Sequence, residues 1–399
     1  MNILVINSGS SSLKYQLFKM PVEEPLCVGL IERIGEPNAF IRHKDLRGEQ
    51  PKIMERDILI SNHEEGLHHI VAMLRDPETG MISKPEEIDV VGHRVVHGGE
   101  YFSGAVVINE EVKEDIRELF SLAPLHNPVN YQCIEFAEKD FPAAKQVAVF
   151  DTAFHHTMPE KAFLYAIPEY YHSEKKIRAY GFHGTSHRYV SKIAMDWLGK
   201  PDAKIISIHL GNGCSIAAID SGKSVDTSMG FGPVSGLIMG TRSGDIDPSV
   251  IFHLLQHEDK TPEEVHNLLN KESGLLGLTG SVDMRDIRKA LESGDQDAEL
   301  AMEMYAYRIK KYIGAYIAVL NGVDALLFTA GVGENDFRMR ARICHNMEYL
   351  QIHIDNEKNK IFREGIREIN MPESQVKLLV VPTNEELEIA RECFELLHQ

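Results

Sequence analysis

The stretch that decides the fold spans residues 204–220 and reads KIISIHLGNGCSIAAID. Its apolar run at residues 205–210 predicts a buried strand, and a second β-rich run at residues 215–219 follows the turn Gly211-Asn212-Gly213. Backbone N–H groups at such a tip suit a phosphate, because no side chain stands in the way. Taken alone, the stretch favours an ordinary sandwich hairpin over a phosphate site.

The start of the chain has the same arrangement, since residues 1–18 read MNILVINSGSSSLKYQLF. Strand, small-residue turn and strand therefore occur twice, and Gly9 aligns with Gly211 without a gap. This repetition predicts two related halves, each presenting a phosphate-sized turn to a shared cleft.

Size and composition limit the class of protein. A chain of 399 residues is long for one core and predicts two domains. With 43% hydrophobic and 26% charged residues, it has the composition of a soluble globular protein. Its net charge of −18 argues against nucleic acid or an anionic membrane as a partner. An anionic small-molecule substrate would then need a local basic cluster.

The cysteines and the first residues predict a cytoplasmic location. The five cysteines form no C-x-x-C pair, so neither a disulfide framework nor a zinc site is indicated. The sequence enters a strand at once, without a basic-then-apolar signal segment, and no apolar run approaches the ~18 residues of a membrane span. We therefore expect a cytoplasmic protein that does not enter a membrane.

The hydrophobic pattern predicts an α/β fold. Strands are expected at residues 26–34, 38–43, 88–96, 145–150, 324–329 and 375–381, besides the two hairpins. Helices are expected at residues 62–74, 111–120, 129–139, 184–198, 249–256, 261–270, 282–292 and 295–320, and from Thr383 onward. Asn109 and Asn127 are expected caps, and residues 225–244 an irregular segment. We place one domain at residues 1–150 and another at 151–383, with a terminal helix at 384–399 packing back on the first.

Two arginines are candidates for an anion site. Arg94 lies inside an apolar strand, where a guanidinium is costly unless an anion pairs with it, although a structural salt bridge explains it equally well. Arg242 is flanked by glycines that let the backbone approach a ligand. Its alternative role is a pairing with Asp245 or Asp247.

Two histidines also lie in turn contexts, His126 before Asn127-Pro128 and His183 before Gly184. In isolation, each is more often structural than functional. His183 and His187 could bind a metal, but Gly184 intervenes and no carboxylate joins the pattern, so a metal site is the minority interpretation. In an acidic protein, these two histidines and the two arginines together favour an anion clamp.

Acidic and amide side chains at strand ends are candidates for a metal site. Asp151 ends a strand, where it could bind a metal or cap the next turn. Asn7 also ends a strand and could merely hold the turn after it. Glu385 begins the terminal helix, where Thr383 and Glu386 are expected to form a capping box, so its alternative role is to compensate the helix dipole.

A second Gly-rich segment, Gly331-Val332-Gly333, follows a predicted strand. It departs from the dinucleotide fingerprint, because Asp336 stands where a third glycine would be required. A loop at the carboxyl end of a strand still predicts a nucleotide contact. Asp283 has a simpler alternative, as a first-turn residue of the helix that follows it.

Eight short segments, in order along the chain, match motifs of one family. They are NSGSSSLK at 7–14, GHRVVHGG at 92–99, LAPLHNP at 122–128, FDTAFH at 150–155, GFHGTSH at 181–187, HLGNGCS at 209–215, MGTRSGDIDP at 239–248 and GVGEN at 331–335. Together they make the chain resemble the acetate kinases, short-chain carboxylate kinases of the sugar kinase, actin and heat-shock chaperone ATPase superfamily. The resemblance covers essentially the whole chain, whereas any one segment alone would be weak support.

The resemblance implies a fold, cofactors and an assembly. The fold is two duplicated actin-like, ribonuclease H-like domains with a βββαβαβα core and ATP in the cleft between them. The protein would use Mg²⁺, with Mn²⁺ as a substitute, and ATP or ADP as co-substrate. Asn7 and Glu385 would belong to the metal site. The expected assembly is a homodimer, and no nucleic acid or membrane takes part.

The resemblance also implies roles for individual residues. Arg94 would bind the substrate carboxylate. Catalytic roles fall on Asp151, His126, His183 and Arg242. ATP contacts fall on Lys14, His209, Leu210, Gly211, Asn212, Gly213, Asp283, Met284, Arg285, Gly331, Val332, Gly333, Glu334 and Asn335.

The expected reaction is the reversible phosphorylation of acetate by ATP to acetyl phosphate and ADP. Its transition state is loose, so catalysis is mainly positioning and charge neutralisation. A carboxylate acceptor with a pKa near ~4–5 is ionised at pH 7 and needs no general base. We therefore expect Asp151 to act through the metal and its waters, rather than as an acid or base.

The acceptor and the reaction class have alternatives. A propionate or butyrate kinase is close, because one methylene is worth only ~1–3 kcal/mol. A chaperone-like ATPase would need a partner-binding region, yet only 14 residues follow Glu385. A sugar or polyol kinase would need a base for the hydroxyl and a polar pocket. Val96 is bulky enough to favour acetate, and the apolar pocket candidates are Val96, Leu125, Phe182 and Pro233.

Overall fold

Two units make up the chain in the computed structural model, which describes residues 1–9 and 11–398. The first unit is Met1–Phe154 together with Asn384–Gln399, and the second is His155–Thr383. Ser10, in the first predicted turn, and Gln399, at the end of the predicted terminal helix, lie outside the described residues. The division into domains at residues 150 and 151 stays a prediction. No helix in the described part of the chain is long and apolar enough to cross a membrane.

The first unit contains an eight-stranded sheet. Its strands are β1 (Asn2–Ser8), β2 (Ser12–Lys19), β3 (Val22–Glu32), β4 (Phe40–Asp45), β5 (Lys52–Asp57), β6 (Val90–Val95), β7 (Val106–Val107) and β8 (Lys145–Phe150). The spatial order is β5-β4-β3-β2-β1-β6-β8-β7. Neighbours from β5 to β1 are antiparallel, whereas β1, β6 and β8 run parallel. Its helices before the second unit are α1 (His63–Leu74), α2 (Glu110–Glu118) and α3 (Asn127–Asp140).

The second unit contains a six-stranded sheet in the order β11-β10-β9-β12-β14-β13. Its strands are β9 (Lys204–Leu210), β10 (Cys214–Asp220), β11 (Lys223–Thr227), β12 (Ala325–Thr329), β13 (Arg367–Glu368) and β14 (Lys377–Val380). Its helices are α4 (Glu160–Phe163), α5 (Tyr170–Ser173), α6 (Gly184–Leu198), α7 (Pro248–His257), α8 (Pro262–Lys271), α9 (Gly274–Thr279), α10 (Met284–Glu292), α11 (Gln296–Leu320), α12 (Ala330–Asn335), α13 (Phe337–Cys344) and α14 (Asn356–Lys360).

The two sheets share a five-strand core. In the first, β3-β2-β1 is an antiparallel meander continued by parallel β6 and β8; in the second, β11-β10-β9 is continued by parallel β12 and β14. The order and the strand directions are therefore the same. This confirms the predicted duplicated α/β fold, in which the β9–β10 hairpin of the second sheet is equivalent to the β1–β2 hairpin of the first.

The terminal helix, α15 (Glu385–Leu397), belongs to the first unit and packs against β1 and β6. A Cβ at Gly92 of β6 would stand 2.8 Å from Cys393 Sγ and 3.0 Å from Ile389 Cγ2, so glycine permits this close approach. Ile389 is fully buried, which stabilises the helix position by about 2 kcal/mol. This contact fixes where Glu385, the first residue of α15, lies on the sheet.

Most predicted elements are confirmed to within a few residues, and the helix at 184–198 is confirmed at both ends. Asn109 caps α2 as predicted, by accepting from Val112 N. The prediction that Asn127 caps the next helix is wrong. His126 stands at that position, and the Asn127 side chain instead bridges the backbone N and O of His97, at 3.0 and 2.9 Å.

Two further predictions are wrong, one for the terminal helix and one for the Gly-rich segment at residues 331–335. The cap of α15 is Asn384, which accepts from Leu387 N, because Thr383 Oγ1 is held by Ser186 Oγ at 2.9 Å. The predicted capping box therefore does not form. The segment 331–335 is helical rather than a loop, since Ala330 takes a left-handed φ of 63° that starts α12 directly after β12.

Candidate active site

Three side chains gather where β1, β6 and β8 end in the first unit. These strands are parallel neighbours, so their carboxyl ends share one edge of the sheet. Asn7 is the penultimate residue of β1, Arg94 is the penultimate residue of β6, and Asp151 follows the last residue of β8. Glu385 joins them from the start of α15. Residues far apart in sequence thereby form one polar cluster.

Arg94 lies at the centre of this cluster. Its Nε donates to Asp151 Oδ1 at 3.0 Å, and its Nη1 donates to Asn7 Oδ1 at 3.1 Å. Glu385 Oε2 lies 3.9 Å from the same Nε. Asn7 Nδ2 donates to Glu386 Oε1 at 3.1 Å, which turns the Asn7 oxygen toward Arg94. The salt bridge considered as an alternative for Arg94 is therefore present, within a group of oxygen ligands.

Negative charge is in excess around Arg94. Burial raises the pKa of Glu385 to about 7; Arg94 opposes this shift, and Asp151 and Glu386 add to it. Burial alone would lower the pKa of the Arg94 guanidinium, but Asp151 and Glu385 raise it above its ordinary value. Arg94 is thus fixed as a cation, whereas Glu385 can gain or lose a proton near neutral pH.

The oxygen atoms of this cluster fit a magnesium ion. Within residues 1–9 and 11–398, no three His, Cys, Asp or Glu side chains are grouped as a ready-made metal site. Mg²⁺ in kinases, however, takes only one or two carboxylates from the protein, and water and phosphate oxygens complete its shell. Asp151 and Glu385 supply two carboxylates close to one Arg94 nitrogen. Burial first, and then the charges of Asp151 and Glu386, raise the pKa of Glu385, so a divalent cation beside it would stabilise its ionised form.

In the second unit, His183 and Arg242 converge on the turn at residues 211–213, between β9 and β10. A Cβ at Gly213 would stand 3.2 Å from His183 Nε2 and 3.5 Å from Arg242 Nη1. Both side chains therefore lie at the tip of the hairpin, and glycine eases the close approach of His183. A cation and an imidazole meet there at a glycine-rich turn, an arrangement suited to phosphate.

Arg242 is not part of a structural ion pair. Its Nη1 donates to Pro233 O at 3.1 Å, and burial lowers the pKa of the guanidinium. In the described part of the chain it pairs with no carboxylate. The alternative pairing is wrong, because Asp245 accepts from Gly236 N and Tyr312 Oη while Asp247 caps α7. A half-buried cation without an acidic partner suits an anionic ligand.

His183 is held in an unusual backbone conformation. Its φ of 57° and ψ of 24° are left-handed, a costly conformation for a residue other than glycine, and it stands directly before α6. The ring stacks on His209, with centroids 4.3 Å apart, and its Nδ1 lies 2.9 Å from Ser215 Oγ. Strain together with fixed ring contacts indicates a functional orientation.

A cavity of about 410 Å³ lies beside the same turn in the second unit. Its volume falls in the range of small-molecule sites. A larger cavity of about 720 Å³, along α11 and α13, contains none of the predicted site residues, so the smaller one is the nucleotide candidate. Seven predicted ATP contacts line the smaller cavity: Gly211, Asn212, Met284, Arg285, Gly331, Val332 and Asn335.

Other predicted ATP residues lie beside the cavity without lining it. Asp283 caps α10 and holds the Arg285 guanidinium through both carboxylate oxygens, which lowers the pKa of Asp283 to about 2. Glu334 turns inward, where its Oε1 accepts from Ala330 N at 2.9 Å and Thr383 N at 3.1 Å. These carboxylates therefore position the cavity wall. The remaining predicted ATP residues of this unit, outside the lining, are His209, Leu210, Gly213 and Gly333.

The remaining predicted residues belong to both units. In the first, Lys14 is exposed on β2 opposite Asn7, and His126 is half-buried before α3. The pocket candidates differ in burial: Val96 is 5% exposed, Phe182 is 2% exposed and Leu125 is 45% exposed. Pro233, in the second unit, is tied to the site through its carbonyl.

Sequence reasoning missed several residues of these sites. The sequence predicts only a capping role for Glu386, whereas its carboxylate accepts from Asn7 Nδ2 and orients that side chain. The cavity also contains Gly240, Leu275, Val282, Arg288, Tyr305 and Asp336, which come from separate elements. The ion pair between Arg288 and Asp336, 3.4 Å apart, joins α10 to the segment before α13. Arg288 lies three residues after Arg285, and therefore on the same face of α10, which is a usable local signal. No local pattern marks the other residues.

Comparisons with known proteins agree along the whole chain. Residues 2–391 match the Acetokinase family. A protein named acetate kinase from Flavobacterium johnsoniae is 55% identical over 100% of both chains, and one from Thermotoga maritima is 52% identical over 100% of this chain and 99% of its own. The crystal structure of Porphyromonas gingivalis acetate kinase superposes with a TM-score of 0.91 at 46% identity, covering 99% of each chain. A propionate kinase from Francisella tularensis superposes with a TM-score of 0.90 at 41% identity, covering 98% of each. The chain belongs to the acetokinase family.

Proposed function

We propose that the protein transfers the γ-phosphoryl group of ATP to acetate, forming acetyl phosphate and ADP, and catalyses the reverse reaction. The observation that carries this proposal is the 55% identity, over the full length of both chains, to a relative named acetate kinase. The geometry agrees with it, because each unit presents a cation within a polar cluster: Arg94 in the first and Arg242 in the second.

The carboxylate of acetate is assigned to Arg94. A guanidinium binds a carboxylate through two parallel N–H donors, and Arg94 already makes such contacts to Asp151. Val96, buried two residues further along, supplies apolar surface for a short acid. Because acetate is ionised at neutral pH, one of its oxygens attacks the γ-phosphorus directly. The bond from the γ-phosphorus to the bridging oxygen breaks as the new bond forms, and ADP leaves.

ATP is assigned to the second unit. The cavity at Arg285 and Val332 would hold the nucleoside, and the glycine-rich turn beside it would contact the phosphates through backbone N–H groups. Arg242 and His183 would donate to the transferring phosphoryl oxygens. Since the transition state spreads charge over these oxygens, preorganised donors in a partly buried site stabilise it.

Asn7, Asp151 and Glu385 are the residues that would hold Mg²⁺, or Mn²⁺ in its place. When bound, the metal neutralises phosphate charge and orients the phosphoryl group for transfer. The protein's part is to keep these oxygens in place: Glu386 orients Asn7, and Arg94 holds Asp151. Asp151 would therefore act through the metal site and not by proton transfer.

The test is to trap acyl phosphate as its hydroxamate, with ATP and Mg²⁺ and with acetate, propionate, butyrate or glycerol as acceptor. We expect the largest kcat/KM for acetate, a lower value for propionate and none for glycerol. A value for propionate above that for acetate would instead favour the activity named for the Francisella tularensis neighbour. If no acid gives hydroxamate, the proposed function is wrong.

We also propose a cytoplasmic homodimer. Leu300, Met304 and Tyr307 lie on one face of α11 and are exposed by 59%, 38% and 66%, so an apolar stripe is available for a partner. Light scattering on the purified protein should give the mass of two chains. A monomer at micromolar concentration would contradict the proposal.

A further inference from the structure

A chain of buried hydrogen bonds runs behind His183 in the second unit. Ser207 Oγ lies 2.8 Å from His187 Nδ1, His187 Nε2 lies 2.7 Å from Ser215 Oγ, and Ser215 Oγ lies 2.9 Å from His183 Nδ1. Ser207, His187 and Ser215 are all 0% exposed. The chain therefore joins β9, α6 and β10 to the one ring nitrogen of His183 that points away from the Gly213 turn.

The hydroxyl of Ser215 links the protonation of the two histidines. Among the described residues its only side-chain partners are His183 Nδ1 and His187 Nε2. If both nitrogens carried hydrogens, the Ser215 proton would be buried without an acceptor. If neither did, one nitrogen would be left without a donor. One of the two nitrogens therefore carries a hydrogen, and the other accepts from Ser215.

The hydroxyl of Ser207 decides which nitrogen it is. Burial lowers the pKa of His187 well below its usual range, and His155 and His209 lower it further, so His187 is neutral and has a single N–H. In the described part of the chain, the Ser207 hydroxyl has no side-chain partner except His187 Nδ1. If Nδ1 were the N–H, the Ser207 proton would be buried without an acceptor.

Only one direction of donation satisfies every group in this chain of hydrogen bonds. Ser207 donates to His187 Nδ1, His187 Nε2–H donates to Ser215, and Ser215 donates to His183 Nδ1. We propose that Ser207, His187 and Ser215 are positioning residues that hold His183 as the neutral Nε2–H tautomer, with its N–H directed at the hairpin turn. The consequence for catalysis rests on the proposed function, because it takes the ligand at that turn to be the transferring phosphoryl group.

This arrangement defines what His183 does in the reaction. Its Nε2 is a hydrogen-bond donor to a phosphoryl oxygen. It is not a base, because this nitrogen already carries a hydrogen and has no in-plane lone pair with which to accept a proton. Acetate has no proton to lose at neutral pH, so no base is needed at this position. Placing a fixed neutral donor beside the Arg242 cation also avoids two like charges at one phosphate site.

The tautomer is measured directly on the full-length protein, by ¹⁵N NMR of histidine-labelled enzyme at pH 7 without ligand. We expect the His183 ring to show a protonated Nε2 and an unprotonated Nδ1. The His183→Asn variant assigns the signal. An Nδ1–H tautomer or an imidazolium at His183 would overturn the proposal, whatever the activity of the enzyme.

Variants test the relay itself, with Ser224→Ala as the matched control. Ser224 is also 0% exposed and bonds a histidine, His155 Nδ1, at 2.8 Å, but it lies outside the chain that ends at His183. Ser215→Ala should lower kcat about 10-fold, leave both KM values within about threefold and mix the His183 tautomers. Ser224→Ala should change none of these. An equal loss of kcat in the two variants would contradict the relay.

A pair of substitutions at His187 separates positioning from packing. The amide nitrogen of His187→Gln can take the place of Nε2 and donate to Ser215, whereas His187→Asn puts its amide near the Nδ1 position and loses that donor. We expect Gln to keep kcat within about threefold of the native value and Asn to lose about 10-fold. If Asn is the more active, the proposal is wrong. If the protein shows the Nε2–H tautomer at His183 but makes no acyl phosphate, the proposed function is wrong. The hydrogen-bond relay is then still supported.

Discussion

Arg94 lies near the end of a parallel strand and is surrounded by oxygen atoms from Asn7, Asp151 and Glu385. The Coulomb attraction of Arg94 to two carboxylates raises its pKa, while burial, together with the charges of Asp151 and Glu386, raises the pKa of Glu385. The residue-scale property of this site is therefore a shortage of positive charge. A substrate cation, such as a metal–nucleotide complex, would make up that shortage.

Asp151→Asn tests whether this carboxylate supports the metal. The substitution keeps the shape of the side chain but removes the charge, so kcat/KM should fall about 100-fold or more, and the Mg²⁺ concentration for half-maximal rate should rise. Both are measured by coupled assay of ADP formation over a Mg²⁺ titration. Asp89→Asn, before the opposite end of β6, is the control and should match the native enzyme. Full activity with native Mg²⁺ dependence in Asp151→Asn would refute the metal role.

Glu385 predicts how stability depends on pH. Its pKa is raised from 4.5 to about 7 in the folded protein, so the folded state binds more protons than the unfolded chain between these values, and stability falls as pH rises through this window. Glu385→Gln stays neutral. At pH 8 without metal, it should be more stable than the native protein by on the order of 1 kcal/mol, and at pH 5 the difference should shrink.

Urea unfolding at the two pH values measures this difference. Glu395→Gln, on the exposed part of the same helix, is the matched control and should show no such change between pH 5 and pH 8. Added Mg²⁺ should stabilise the native protein at pH 8 and have less effect on Glu385→Gln. A variant less stable than the native protein at pH 8 would contradict the raised pKa.

At the scale of elements, regular periodic segments could be predicted and irregular ones could not. The α11 helix follows the 3.6-residue period that its buried face imposes. The β9–β10 hairpin is instead marked by two apolar runs around a glycine turn, because both of its strands are buried on both faces. The edge strand β5 was missed, because it is almost wholly exposed and carries charges. The short helix α9 was missed as well, since its glycines resemble a loop.

The candidate site was predictable only in part, for a similar reason. Glycines and charges at strand ends mark Arg94 and Asp151 as candidates, since the carboxyl ends of parallel strands meet at one edge. No sequence pattern says that Glu386 orients Asn7, because that contact depends on where α15 packs on the sheet. Local turn and periodicity signals thus identify candidate site residues, whereas the contacts between these residues depend on long-range packing.

The hairpin turn gives a prediction at this scale. A Cβ at Gly240 would stand 2.2 Å from Asn212 Oδ1, so Gly240→Ala must displace the Asn212 side chain at the tip of the β9–β10 turn. We expect KM for ATP to rise about 10-fold while KM for acetate stays within about twofold, measured by steady-state kinetics with each substrate varied. Gly232→Ala, in the same Gly-rich segment but with no atom within 4 Å of the new Cβ, should behave as the native enzyme. Equal KM values for ATP in the two variants would show that the turn does not contact the nucleotide.

At the scale of the molecule, one sheet topology carries two different sets of residues at its strand ends. In the first unit, the carboxyl ends of β1, β6 and β8 carry Asn7, Arg94 and Asp151. In the second, the equivalent ends of β9, β12 and β14 lead into the glycine turn, α12 and Thr383. The same strand ends therefore carry a polar cluster in the first unit and a glycine turn beside a cavity in the second, which is the basis for the proposed carboxylate and nucleotide sites.

The proposed nucleotide site lies wholly within the second unit, which predicts that this unit alone binds a nucleotide. The second unit is one continuous segment, His155–Thr383, and contains every residue that lines the 410 Å³ cavity. A fragment of residues 155–383 should therefore bind ADP by calorimetry within about 10-fold of the native affinity, yet form no acyl phosphate, because Arg94, Asp151 and Glu385 are absent. Arg285→Ala in the fragment should weaken the binding, whereas Lys289→Ala, one turn further along α10 and outside the cavity, should not. A fragment that is folded by circular dichroism but does not bind ADP would show that the nucleotide requires residues of both units.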